Sequence, residues 1–341
     1  DVFMPEASYD EAMPGEPEEP SGGDKFDEIV ENDFIKTADQ NVSTFSIDAD
    51  GATYAYMRKC LRNGFLPSPN AVRIEEYLNY FTFDYADPTG DHTVAINGEV
   101  GECPWNPEHK LIRLGIKGKS IENGQMPAAN YVFLIDVSGS MNQDDKLPLL
   151  KQAFSYLVDQ LDENDTVSIV TYAGSERVVL EGATGNKKEI ILAAINDLTS
   201  GGSTNGEAGI VKAYEIAEAN FKADGNNRII MASDGDLNVG IRDPEQLEKL
   251  VEEKRNSGIF LSVLGFGTGN FRDSNMSAIA QTGNGVYHYI DCSAEAERIF
   301  TDSLLSTIYT VAKDVKFQLT FDKEYVSEYR LIGYENRMLA N

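Results

Sequence analysis

The chain has 341 residues, with 29 Lys and Arg against 56 Asp and Glu, for a formal net charge of −27. Such acidity disfavours nucleic acid, whose phosphates demand clustered Lys and Arg, and docking on an anionic membrane surface. With 41% hydrophobic residues the chain can bury a core, and its length allows roughly two domains on a ~150-residue prior.

Residues 1–40 carry 13 acids and two lysines, including the run from Pro14 to Gly23. This composition predicts an acidic disordered tether. Only Phe26, Ile29, Val30 and Phe34 within it have the spacing of a helical face that docks on the body. Residues 41–92 read as a small helical unit. Tyr54, Met57 and Leu61 fall on one face, and Asn63-Gly64 is a helix stop. Ser68-Pro69 then opens a second helix, whose buried stripe is Ile74, Leu78 and Phe81. From residue 93 helical spacing is lost. Val94, Ile96, Val100, Leu111, Leu114 and Ile116 predict strands around the break Cys103-Pro104-Trp105-Asn106-Pro107.

Residues 130–311 alternate strand and helix. Tyr131 to Ile135 is a continuous apolar run, the mark of a strand buried on both faces. Leu147, Leu150, Phe154, Leu157 and Leu161 follow at helical spacing. Further strands are predicted at 167–172, 177–180, 228–232, 259–266 and 286–290. Helices are predicted at 187–198, 206–222, 244–257, 274–282 and 294–311. The fold class is therefore α/β, a doubly wound, mostly parallel sheet flanked by helices. Strands return at 315–321 and 329–334. In a parallel α/β unit the chain enters and leaves at the same end, so 93–118 and 313–334 are brought together. We expect them to pair, giving a discontinuous β-rich flanking domain of residues 93–129 plus 312–341.

Three loops follow strand ends or precede a helix: Asp136-Val137-Ser138-Gly139-Ser140, Gly201-Gly202-Ser203-Thr204 and Ser233-Asp234-Gly235. In an open α/β sheet they converge beyond the carboxyl ends of the strands. They offer carboxylates and hydroxyls, hard oxygen donors that suit Mg²⁺, with Ca²⁺ or Mn²⁺ as competitors. No His or Cys lies near them in sequence, which argues against zinc. Because hydroxyl ligands are neutral, a divalent ion there keeps positive charge and attracts a carboxylate from outside.

These loops give the chain its resemblance to the von Willebrand factor type A domain, a Rossmann-like fold. Asp136, Ser138 and Ser140 match the D-x-S-x-S of that family's metal-ion-dependent adhesion site, Thr204 its threonine and Asp234 its last aspartate. The resemblance implies that Ser138, Ser140 and Thr204 bind the ion directly, and Asp136 and Asp234 through water. The flanks resemble the YfbK-like group of bacterial envelope proteins. The residues that carry this are Thr44-Phe45-Ser46-Ile47-Asp48, Val72 to Tyr77, Cys103 to His109 and Arg330 to Arg337. Integrin-type A domains hold a second ion on an acidic pair near this motif. Here Asp144-Asp145 are displaced by one residue, a turn of ~100° on a helix. They are read as cap and first-turn residues of the following helix.

The expected function is a non-enzymatic protein-binding module of the bacterial cell envelope. It would grip an acidic residue of a protein or peptide partner through a divalent cation. Alternatives are a metal-dependent phosphoryl-transfer or hydrolytic enzyme, or a scaffold with a vestigial site. Against the enzyme, no Lys, Arg or His stands beside the motif in sequence. His92, His109 and His288 are isolated in sequence and read as structural or surface residues rather than catalytic ones. Cys60, Cys103 and Cys292 read as three buried thiols, or as a Cys60–Cys103 bridge in an oxidising compartment with one thiol over. No apolar run reaches the ~18 residues of a membrane span, and we expect an export signal or lipid anchor ahead of Asp1.

Overall fold

A computed structural model describes residues 24, 26–47, 49–119, 127–203, 206–235, 244–267, 273–303 and 315–335. In chain order the elements begin with β1 (Ile35–Lys36), β2 (Val42–Ser46), α1 (Ala52–Arg62) and α2 (Ile74–Asn79). Next come β3 (Val94–Glu102), β4 (Lys110–Gly118), β5 (Ala129–Asp136), α3 (Leu147–Gln160), β6 (Thr166–Tyr172) and β7 (Glu176–Thr184). Then follow α4 (Lys188–Asn196), α5 (Gly206–Ala219), β8 (Asn226–Ser233), α6 (Pro244–Asn256), β9 (Ile259–Phe266) and α7 (Asp273–Thr282). The last are β10 (Tyr287–Ile290), α8 (Ser293–Arg298), β11 (Lys316–Thr320) and β12 (Glu328–Tyr329).

The central sheet has six strands in the order β10-β9-β8-β5-β6-β7. All neighbours are parallel except β7, which runs antiparallel at the edge. Every residue of β5 and β9 is buried, so both faces must be covered. Phe133, Ile135, Leu150, Phe154 and Phe300 pack on one face, and Val132, Leu134, Ile210, Tyr214 and Leu261 on the other. From β5 the order steps outward on one side to β6 and on the other to β8. That reversal opens a crevice beyond the carboxyl end of β5.

The segment ahead of the sheet covers its β10 edge. The Asp50 carboxylate accepts the Tyr287 N–H at 2.7 Å. The rings of Tyr56 and Tyr289 meet at 5.5 Å. Arg58 donates to both Asp291 and Glu295. Below this, Arg73 lies between Glu76 of α2, at 2.9 Å, and Asp273 of α7, at 2.5 Å. Glu76 also accepts the Thr53 N–H at 2.8 Å. Burial, then the charge of Asp273, pushes Glu76 up to about 7.

Several expectations are corrected. Strands 93–118 and 313–334 do not pair: β3 and β4 form their own two-stranded sheet, β11 pairs with β2, and β12 with β1. The return strands find partners in 35–46, a stretch assigned by composition to the tether and the helical unit. Residues 26–46 therefore do not belong to a disordered tether, and the rest of that expectation, on residues 1–23, lies outside the described residues. From Phe26 the chain is non-helical but docked, with Phe26 against Tyr56 at 5.0 Å and Asn32 donating to the Leu331 carbonyl at 3.2 Å.

The buried stripe expected of the second helix is reversed, and Leu61 at the end of the first is exposed. Ile74, Leu78 and Phe81 are exposed, while Glu75 and Glu76 are buried. The apolar side chains of α2 and of the residues after it line an open groove of about 2390 Å³, shared with Trp105, Leu111 and Leu331. Ser68-Pro69 opens only a single 3-10 turn. The end of α1 at Asn63-Gly64 is as expected, with Gly64 at φ 84. Cys60, Cys103 and Cys292 are all free, and Cys292 is partly exposed. No described helix is long and apolar enough to cross a membrane.

Replacing Arg73 by Met would leave Glu76 and Asp273 buried without a counter-charge. The expected loss is about 3–5 kcal/mol in urea unfolding at pH 7. A loss below about 1 kcal/mol would show that this cluster does not anchor the N-terminal unit.

Candidate metal centre

The site begins where β5 ends. Asp136 is the last residue of the strand and is fully buried. The chain then turns sharply, with Ser138 leading into a 3-10 turn over Gly139–Met141. This turn aims the Ser138 N–H back at Asp136 Oδ1, at 2.9 Å. The other carboxylate oxygen, Oδ2, accepts from Ser233 Oγ at the end of β8, at 3.1 Å. Ser233 Oγ in turn accepts the Gly235 N–H at 3.1 Å. Two neighbouring parallel strands are thus tied together through one carboxylate.

The serine hydroxyls of the motif converge. Ser138 Oγ and Ser140 Oγ stand 3.0 Å apart, with Ser138 buried and Ser140 half-buried. Backbone bonds bring in the third loop: Gly201 N–H donates to Val137 O at 2.7 Å, and Gly139 N–H to Gly202 O at 3.1 Å. Gly202 adopts φ 88, a left-handed turn that glycine supplies without strain. Thr204 lies outside the described residues, two positions beyond this contact. Asp136, Ser138, Ser140 and Asp234 are therefore gathered at one end of the sheet.

Burial is the main cause that pushes Asp136 up to about 6, and the Asp234 charge adds to it; the Ser138 amide and hydroxyl and the Ser233 hydroxyl pull the other way. Beside it Tyr172, the last residue of β6, is fully buried, and its hydroxyl finds no hydrogen-bond partner among the described residues. Burial, then the Asp136 charge, holds this phenol well above its ordinary value. Two carboxylates and two converging hydroxyls, all oxygen donors, fit a hydrated divalent cation. Among the described residues no three His, Cys, Asp or Glu side chains gather as a cage.

Sequence spacing missed one group. Lys146 Nζ donates to Asp234 Oδ2 at 2.9 Å, and both side chains are buried. The sequence expectation that no basic side chain stands by the motif is thus corrected. Lys146 is six residues past Ser140, and only the turn over 143–146 brings it back. The same turn corrects Asp144 and Asp145: α3 starts at Leu147, so neither is a cap or first-turn residue. Asp145 is instead taken by Lys59 of α1. His288 is buried in β10, where burial pushes it down to about 4.

Comparison with known proteins places the chain in a family. Residues 130–302 match the von Willebrand factor type A domain, residues 20–113 a family described as von Willebrand factor, and residues 306–341 one described as uncharacterized protein YfbK, C-terminal. The chain belongs to the von Willebrand factor type A domain family, in its YfbK-like group. It is 42% identical over 326 residues to the uncharacterized protein YfbK of Escherichia coli K12, covering 93% of this chain and 56% of that protein. It is 27% identical to human inter-alpha-trypsin inhibitor heavy chain H3, over 40% of this chain and 16% of that protein. The chain thus spans about half the length of its bacterial relative. Among solved structures it is similar to proximal thread matrix protein 1 of the mussel byssus, described with a zinc-occupied MIDAS motif. That match has 21% identity and TM-score 0.43, and covers 60% of this chain and 49% of that one.

Between pH 3.8 and about 6 the native Asp136 keeps a proton that the unfolded chain has lost. Its contribution to stability therefore falls as pH rises through that window. Without divalent ions, Asp136→Asn should be more stable than wild type by about 2 to 3 kcal/mol at pH 7 and no more stable below pH 4. Urea unfolding at both pH values measures this; a variant weaker at pH 7 would contradict it.

Proposed function

We propose that this protein is a metal-dependent protein-binding module of the bacterial cell envelope. Asp136, Ser138, Ser140, Thr204 and Asp234 would hold a divalent cation, with Mg²⁺ favoured by the all-oxygen donor set. When bound, the ion supplies a positively charged docking point for the carboxylate of an Asp or Glu on a protein or peptide partner. The observation that carries this reading is the convergence of the Ser138 and Ser140 hydroxyls beside the buried Asp136 and Asp234. Hydroxyl donors leave the ion undercharged by the protein and so open to an outside anion. Family membership supports a binding role, and the acidic N-terminal stretch suits a protein held off an envelope surface by a tether.

A second reading gains one observation. Lys146 places an ammonium among the carboxylates, as phosphoryl transfer would require. It is spent on Asp234, however, and position 138 is a serine where a second acid would assist a nucleophilic aspartate. Turnover of p-nitrophenyl phosphate that disappears in Asp136→Ala would favour this enzyme reading.

For the binding reading, immobilised protein is incubated with bacterial envelope extract in Mg²⁺, in EDTA, and as Asp136→Ala in Mg²⁺. A partner retained only in the first condition is expected. Equal retention in all three would refute metal-dependent binding.

A further inference from the structure

Lys146 enters the crevice from the turn before α3, and its seat is built. The ammonium meets Asp234 Oδ2 at 2.9 Å, with side chains 2% and 0% exposed. Its stem passes over Gly267, just beyond β9. A Cβ at that position would fall 2.2 Å from Lys146 Cε and 2.8 Å from Cγ, so a bare backbone is what lets the stem through. Tyr289 Oη donates to the Gly267 carbonyl at 2.6 Å and holds that backbone in place. The neighbouring acid, Asp145, is engaged by Lys59. Among the described residues, the charged side chains that meet at the site are Asp136, Asp234 and Lys146.

We propose that Lys146 is a positioning residue that sets the charge of the metal centre. Its ammonium fixes Asp234 and cancels its charge, so that a bound divalent ion is held less tightly but faces its partner with net positive charge. This rests on the metal-binding reading above. Two ionised carboxylates alone would bring a divalent ion to neutrality. Lys146 makes the loaded site one charge more positive than the two carboxylates would leave it. Inside a buried crevice that difference is felt far more strongly than in water. It weakens the hold on the ion and strengthens attraction for an incoming carboxylate, the ligand class the site is proposed to take.

The test is calorimetric titration of the full chain with Mg²⁺ alone, followed by titration of the Mg²⁺-loaded protein with acetate. Wild type is compared with Lys146→Met, which keeps the length, and Lys146→Gln, which keeps a donor for Asp234. Circular dichroism establishes that each variant is folded. The neutral variants should bind Mg²⁺ at least tenfold more tightly, and their loaded forms should bind acetate at least threefold more weakly. Unchanged or weaker Mg²⁺ binding in a folded variant, beside a wild type that binds, overturns the proposal and leaves the metal site standing. Unchanged acetate affinity also overturns it. If neither wild type nor variants bind Mg²⁺, the metal reading falls and this proposal with it. In wild type, independently of any variant, Mg²⁺ should shift the Lys146 ¹⁵Nζ resonance; a resonance indifferent to bound Mg²⁺ overturns the proposal.

Discussion

Two carboxylates buried at the ends of adjacent parallel strands impose the constraint on which the rest of this structure depends. Asp136 and Asp234 are both fully inaccessible, and an uncompensated buried charge costs several kcal/mol. The surroundings are arranged as compensation. Asp136 takes the Ser138 amide on one oxygen and the Ser233 hydroxyl on the other. Asp234 takes the Lys146 ammonium. The glycines at 139 and 202 let two loops approach closely enough to share a backbone bond. Asp136, Ser138, Ser233 and Asp234 lie at or just beyond strand ends, so the sheet order, reversing beside β5, brings them together, and the loops holding Lys146 and Gly202 close on them. An ion added to this crevice would complete a compensation that the protein has only partly made.

The same principle governs how the N-terminal unit is attached. α1 buries an apolar stripe of Ala52, Ala55, Tyr56 and Cys60 against the sheet, whereas α2 turns its apolar residues outward. Both are pinned by ion pairs, with Arg73 between Glu76 and Asp273, Arg58 on Asp291 and Glu295, and Lys59 on Asp145. The last of these contacts lies one residue from Lys146. The unit that covers the β10 edge therefore also reaches the turn that delivers the lysine to the crevice. The overall acidity is distributed in keeping with this. The N-terminal 40 residues carry the densest negative charge, while in the body Arg58, Arg73, Arg298 and Lys146 go to buried carboxylates.

Much of the fold and part of the site could be read from sequence, for identifiable reasons. Strands buried on both faces announce themselves as unbroken apolar runs, as Tyr131 to Ile135 does, and the motif residues follow such strands directly. What sequence could not show was what lies across space. Ile74, Leu78 and Phe81 have helical spacing, yet they face an open groove, while Glu75 and Glu76 are buried and Glu76 takes the Thr53 amide of α1. β2 was hidden in a short mixed segment, Val42–Ser46, whose pairing with β11 spans more than two hundred residues. Lys146 was missed because its role depends on a turn and on a glycine at position 267 in another loop. The β-branched Val42 and Thr44, and a lysine just before a helix that follows the motif, were the available signals.

The most direct measurement of the central claim is anomalous diffraction from crystals of this protein soaked in saturating Mn²⁺. A peak is expected within coordination distance of both Ser138 Oγ and Ser140 Oγ, between the ends of β5 and β8, and its loss in Asp136→Ala. No peak at that point under saturating Mn²⁺, or a peak only elsewhere on the molecule, would contradict the account.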